Sequence, residues 1–245
     1  MLEYLRIRKI VKNITSFIVD ELKDKGLISL YLAGTVLTKD RTPYSDIDIF
    51  GIVSSDFDIR KEEDEINSKL KLKKNSICRG FETRFRGIGI DELEGGKPRG
   101  IVSKHIGLNI IIKKFPFYKK IWGKKIDLSK FPVKPIELKE EAKDYIKTIE
   151  TFMKKFRAGE ETFPMQNFSK SVLNLARVEA EKEYGFRFDP SYKKLTKHLA
   201  KERDHIAHKA MEFRYKKVTR KEVLDFCNEV EIYIKDLKKR FAEWR

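Results

Sequence analysis

Cysteine is nearly absent from this 245-residue chain. Cys78 and Cys227 stand far apart and outside any Cys-x-x-Cys pair, which excludes a zinc-ribbon type of site and a disulfide framework. Both are expected to be buried thiols of a reducing compartment. Long apolar runs are missing too. No stretch approaches the ~20 apolar residues that a spanning helix needs, and the opening segment MLEYLRIRKIVKNITSFIVDELKDKG lacks the uninterrupted apolar core of a signal peptide. The expectation is a cytoplasmic protein with no membrane partner. Internal repeats and low-complexity tracts are absent as well, which excludes a solenoid or fibrous chain.

What the chain does have is charge. Lys and Arg number 54 against 38 Asp and Glu, and the formal net charge of +16 favours polyanionic partners such as RNA, DNA or nucleotide phosphates. A basic solvated surface with no polymer site accounts for the same charge equally well. The hydrophobic share of 40% suffices for a real core in one large domain or two modest ones. Abundant Lys and Glu with so little Cys resembles thermophile composition.

Along the chain, apolar residues from Leu5 to Leu22 recur at helical spacing and Gly26 stands where a helix would stop. Residues 27–33 then read as a buried strand broken by Gly34-Thr35. A polar insert, 36–45, delays the next strand, 46–53, and the charged segment 58–71 reads as a surface helix with a solvated face, with Ser54, Ser55 and Asp56 as capping candidates. A strand is predicted within 77–90, a hairpin or flexible loop over 94–107, and a strand over 108–115. Residues 116–135 carry three prolines and read as a connector, and the aromatic cluster Phe115, Phe117, Tyr118 and Trp122 around the junction could stack a base or pin the two domains together by packing. Past Pro135 the texture turns helical, with helices predicted over 137–156, 168–184, 192–201, 204–213 and 218–241. The fold class is therefore an α/β (α+β) domain with a mixed sheet over 1–132, followed by an all-α bundle over 133–245.

The chemistry centres on residues 30–53, LYLAGTVLTKDRTPYSDIDIFGIV. Asp46 and Asp48 alternate with Ile47 and Ile49, so on a strand both carboxylates share one face and both isoleucines the other. Two like charges so placed repel and require compensation. A pair of hard oxygen ligands facing a cation would supply it; a half-buried strand with its aspartates in water is the plain alternative. The Gly34-Thr35 turn, ten intervening residues and Asp46-x-Asp48 together resemble the signature of the nucleotidyltransferase superfamily with a DNA-polymerase-β-like fold. Thr35 takes the place of the usual Ser or Gly and keeps a hydroxyl.

That resemblance implies a metal-dependent transfer of a nucleoside monophosphate from a nucleoside triphosphate, ATP foremost, to an acceptor hydroxyl with release of pyrophosphate. It implies Mg²⁺, two ions, with Mn²⁺ as the alternative, held by Asp46 and Asp48. A third carboxylate on a later strand falls to Glu82, which would complete the metal set and take the proton of the attacking hydroxyl, with Asp91 and Glu92 as runners-up. Gly34, Thr35, Ser45, Arg84 and Arg86 become nucleotide-contact candidates, the arginines because guanidinium groups grip phosphate oxygens in pairs. Ion pairing with the nearby acids is their plain alternative. Lys39 reads as a solvated surface lysine. The active site is expected in a cleft between the two domains, and the acceptor stays open among small molecule, protein and RNA.

A second resemblance lies in 203-RDHIAH-208, which is similar to the Arg-x(4–6)-His motif of HEPN domains. It implies metal-independent RNA cleavage through Arg203 and His208. Residues 168–180 resemble a core helix of antibiotic nucleotidyltransferases, whose helical domains lack that activity. A nucleic-acid-binding or antitoxin-like regulator on the same scaffold is the remaining alternative.

Overall fold

The computed structural model describes residues 2–38, 40–42, 45–78, 81–160 and 165–244, so Lys39, Pro43 and Tyr44 of the insert lie outside the described residues. The chain forms two compact units, Met1–Pro135 and Ile136–Arg245.

The first unit is built on a mixed four-stranded sheet of order β3-β2-β1-β4. Its strands are β1 (Leu27–Ala33), β2 (Ile47–Val53), β3 (Thr83–Gly89) and β4 (Lys119–Gly123). β1 runs antiparallel to both β2 and β4, and β2 runs parallel to β3. Parallel neighbours need a crossover, and helix α2 (Ile59–Leu72) supplies it. Alternation along the strands feeds two cores. On one face Leu30, Leu32, Ile47, Ile49 and Phe85 meet Ile10, Ile14 and Ile18 of α1 (Leu2–Leu22) and Ile66 and Leu70 of α2. On the other, Tyr31, Phe50, Ile52 and Ile88 meet Val102, Ile111 and Phe115.

Four expectations for this unit are corrected. Residues 108–115 are not a strand: Leu108–Lys114 is helix α4, following the short α3 (Ile90–Leu93) and a π-helical turn at Ser103–Gly107 where a flexible loop was expected. A short run such as Ile110-Ile111-Ile112 carries no period, and here all three side chains are buried, Ile111 and Ile112 in the second core. The 116–135 segment holds β4, an edge strand hidden among prolines and aromatics. The cap of α2 is Asp58, whose carboxylate accepts from the Lys61 amide, rather than Ser54, Ser55 or Asp56.

The charged face of α2 is not all solvated. β3 is an edge strand, and its outward main-chain groups are taken up by side chains in place of a fifth strand. The Phe85 amide donates to Asn67 Oδ1 at 2.8 Å while Asn67 Nδ2 donates to the Phe85 carbonyl at 3.0 Å. One turn earlier on α2, fully buried Glu63 accepts from the Gly87 amide at 2.6 Å, and Glu92 accepts from the Gly89 amide at 2.6 Å. A row of edge amides left bare is a template for aggregation; this one is covered.

The second unit is all helical: α5 (Leu138–Arg157), α6 (Met165–Glu183), α7 (Tyr192–His198), α8 (Ile206–Phe213) and α9 (Arg220–Arg240). α6 is its axis, buried on every side from Val172 to Ala180 against Ile149 and Phe152 of α5, Ala207 and Ala210 of α8 and Phe226 and Val230 of α9. Glu179, Asn174 and Arg177 of this stretch form hydrogen bonds within the core. Glu179 accepts from Tyr233 and Arg240 and is bonded to His205, and Asn174 Oδ1 accepts from Arg177 and Tyr192.

Candidate active site

β2 begins at Ile47, one residue later than expected, so Asp48 lies within the strand and Asp46 immediately before it. Asp48 lies opposite Ala33 of β1 and Arg84 of β3, on the face that bears Phe50 and Ile52. The Ile47 amide donates to the Glu82 carbonyl at 2.8 Å, which sets Glu82 beside Asp46 at the mouth of β3. Glu82 thus precedes the strand instead of lying inside it, and its side chain is 60% exposed.

Arg84 ties the acids together. Its Nη2 donates to Glu82 Oε1 at 2.8 Å and its Nε stands 3.8 Å from Asp46 Oδ2. The hydrogen bond to Glu82, reinforced by the charges of Glu82, Asp46 and Asp48, raises the arginine further above its ordinary value. In return Arg84 holds the Glu82 carboxyl below the usual carboxylate range. The repulsion within Asp46-x-Asp48 therefore finds its compensation one strand over, in a cation placed by parallel register.

Gly34 closes the site from β1. Its φ of +77° is a left-handed conformation that glycine adopts without strain, and a Cβ there would stand 2.8 Å from Asp48 Oδ2. The missing side chain leaves that carboxylate oxygen approachable. Thr35 follows in the single 3-10 turn Gly34–Leu37, and its hydroxyl has no hydrogen bond among the described residues. Ser45 acts locally, its Oγ accepting from the Thr42 amide at 2.8 Å to close the turn into β2.

Arg86 is drawn away from the acids toward α2, with Nη1 3.9 Å from Glu63 Oε2. Burial raises the Glu63 carboxyl above its ordinary value, only partly offset by the Gly87 amide and Arg86. Asp91 pairs with Arg99 at 2.6 Å and Glu92 serves the β3 edge, so both runners-up are engaged beyond the strand's end. Tyr118 belongs to the junction cluster whose aromatics could stack a base or serve packing. Its ring stacks on Phe50 at 5.1 Å, and burial together with the Asp48 charge holds its hydroxyl well above the ordinary phenol value. No sequence signal pairs residues 48 and 118; β4 and the turn before it bring them together.

The donor set suits a hard divalent cation. Asp46 and Asp48 offer carboxylate oxygens on one partly exposed face, with Gly34 leaving room at Asp48. Among the described residues no three acidic, His or Cys groups gather closely enough to hold an ion, since Glu82 lies on Arg84. In the helical unit, Arg203 stands exposed in the turn before α8, while His208 Nε2 meets the Leu199 carbonyl at 3.0 Å.

No protein-family model matches the chain, and no curated protein matches it. Among solved structures the architecture is that of a nucleotidyltransferase with a helical C-terminal region. The chain is similar to spectinomycin adenyltransferase AAD(9) from Enterococcus faecialis, whose crystal structure holds ATP and spectinomycin. The TM-score is 0.61 and the identity 15%, over 93% of this chain and 99% of that one. At that identity the likeness shows the fold, and the chemistry has to be argued from the residues.

Proposed function

We propose that the protein is a nucleotidyltransferase that moves a nucleoside monophosphate from a nucleoside triphosphate, ATP foremost, onto an acceptor hydroxyl. The observation that carries this reading is the convergence of Asp46, Asp48, Gly34 and Glu82 at the open end of β2, on a fold shared with an enzyme solved with ATP. Asp46 and Asp48 would hold the divalent cation, Mg²⁺ with Mn²⁺ as the alternative, which when bound neutralises charge on the phosphates. Two ions are the expected number.

Gly34 lets the triphosphate approach the main chain, and the Thr35 hydroxyl donates to a phosphate oxygen. Glu82, exposed and ionised, takes the proton of the acceptor hydroxyl as its oxygen bonds to the α-phosphorus. The bond from that phosphorus to the bridging oxygen breaks, and pyrophosphate departs. Arg84 is placed to turn from Glu82 and Asp46 toward the departing phosphates, where a guanidinium stabilises developing charge. Ser45 and Arg86 are the weaker members of the proposed nucleotide set, since Thr42 and Glu63 already engage them.

The test is release of pyrophosphate from labelled ATP, screened against small-molecule, protein and RNA acceptor fractions. Asp46→Asn or Asp48→Asn should lower metal-dependent turnover by about a thousandfold or more, the scale on which removed charge stabilisation acts. Retained turnover in both variants would sink the assignment. Steeply salt-dependent RNA binding without turnover would favour the regulatory alternative instead.

A further inference from the structure

The first unit contains a concavity that none of the candidate active-site residues Asp46, Asp48, Gly34 and Glu82 lines. It lies between α1, β4 and the Gly34–Leu37 turn, has a volume of about 380 Å³ and is open to solvent. Leu32 of β1 forms its floor, and Leu32 packs with Ile10 and Ile14 on the α1 side of the sheet. Asp48 sits opposite Ala33, the next residue along β1, and so projects from the other face. The concavity is thus separated from the candidate active site by the thickness of the sheet.

Its lining has a definite chemistry. The interior is apolar, with Val11, Leu32, Val36 and Ile121 among the walls, and the polar lining includes Lys12, Lys119 and Lys120. Among the described residues no acid lines it. Lys12 and Lys119 form no ion pair among the described residues, and both side chains are exposed at the rim. The volume of the concavity falls within the ~300–1,000 Å³ typical of small-molecule sites. An apolar hollow rimmed by cations fits a ligand with an apolar body and an anionic end.

We infer that this concavity is a binding site for a small amphipathic anion, its apolar body against Val11, Leu32 and Ile121 and its carboxylate or phosphate end between Lys12 and Lys119. The inference stands apart from nucleotidyl transfer. Val36 and Leu37 line the hollow only just beyond Thr35, so an occupant also braces the turn that ends β1.

Calorimetric titration of the full chain with octyl phosphate, octanoate, octylammonium and octanol tests it. Binding of octyl phosphate, octanoate or both, weakened by salt and absent for octylammonium, is the expected result; which anion binds distinguishes a phosphate from a carboxylate headgroup. Lys12→Glu with Lys119→Glu should weaken that binding about tenfold or more. Thr15→Trp, on the α1 wall, should abolish it by filling the hollow, with an unchanged melting temperature showing that the fold survives. Equal binding of octanol, no binding of either anion, or binding that withstands the double charge reversal would overturn the proposal.

Discussion

Removing the Glu63 carboxylate should loosen the first unit through the edge of its sheet. In Glu63→Ala the Gly87 amide, buried under α2, loses its acceptor, and an orphaned buried donor costs about 1–3 kcal/mol. Arg86, 23% exposed, loses its counter-charge at 3.9 Å, worth about 1 kcal/mol more at such partly screened contacts. The sum, roughly 2–4 kcal/mol, corresponds to a fall in melting temperature on the order of 10 °C for a unit of this size. Glu63→Gln keeps an acceptor for Gly87 and replaces Oε2, which has no hydrogen-bond partner, so it should cost much less. The pH dependence has a sign. Burial raises the folded pKa of Glu63 above its ordinary 4.5, so its contribution is fully present below the unfolded pKa and is lost as pH rises through the folded value. Glutamine does not titrate, so Glu63→Gln should gain on the wild type as pH climbs from about 4.5 through that value. The assay is urea unfolding followed by tryptophan fluorescence. The two tryptophans, Trp122 and Trp244, fall one in each unit, so a Trp244→Phe background reports on the first unit alone. Equal losses in Glu63→Ala and Glu63→Gln, or none in either, would refute the edge-capping argument.

Gly34→Ala forces a left-handed backbone on an L-residue and sets a methyl against Asp48, so it should cost about 1–2 kcal/mol in urea unfolding and depress nucleotide turnover beyond that loss. Arg84→Gln releases the Glu82 carboxyl toward its ordinary value; if Glu82 is the base, the acid limb of the pH–rate profile moves to higher pH, and an unmoved limb assigns the proton elsewhere. Glu179 is pushed up by burial, yet its bonds with His205, Tyr233 and Arg240 outweigh that and hold it below its usual value. Glu179→Ala should therefore destabilise the helical unit by about 3–5 kcal/mol at neutral pH, read from Trp244 in a Trp122→Phe background. The deficit should shrink as pH falls through the folded Glu179 value, because the wild type loses its advantage there.

The aspartate pair was readable because a strand's period of two leaves no choice of face once Ile47 and Ile49 are buried. The helical unit was readable for the same kind of reason: its apolar residues keep a helical period, and the chain breaks it at Gly159 and Gly185. What escaped has tertiary causes. Ile110 to Ile112 suit strand or helix alike, and only the core they fill decides. Glu63 looks like one charge among many in 60-RKEEDEINSKLKLKK-74 until β3 lies beside it. Arg84 was legible as a neighbour of Glu82, but its hold on Asp46 follows from the parallel register of β2 and β3, which periodicity does not encode.

The side-chain cover on β3 also governs what can join this protein. At the opposite edge β4 is only five residues long and carries exposed Lys119 and Lys120, so neither margin of the sheet invites a passing strand to extend it. Self-association or capture of an extended peptide by strand addition is thus disfavoured at both ends. A substitution at Asn67 or Glu63 would uncover part of the β3 margin and make it more adhesive.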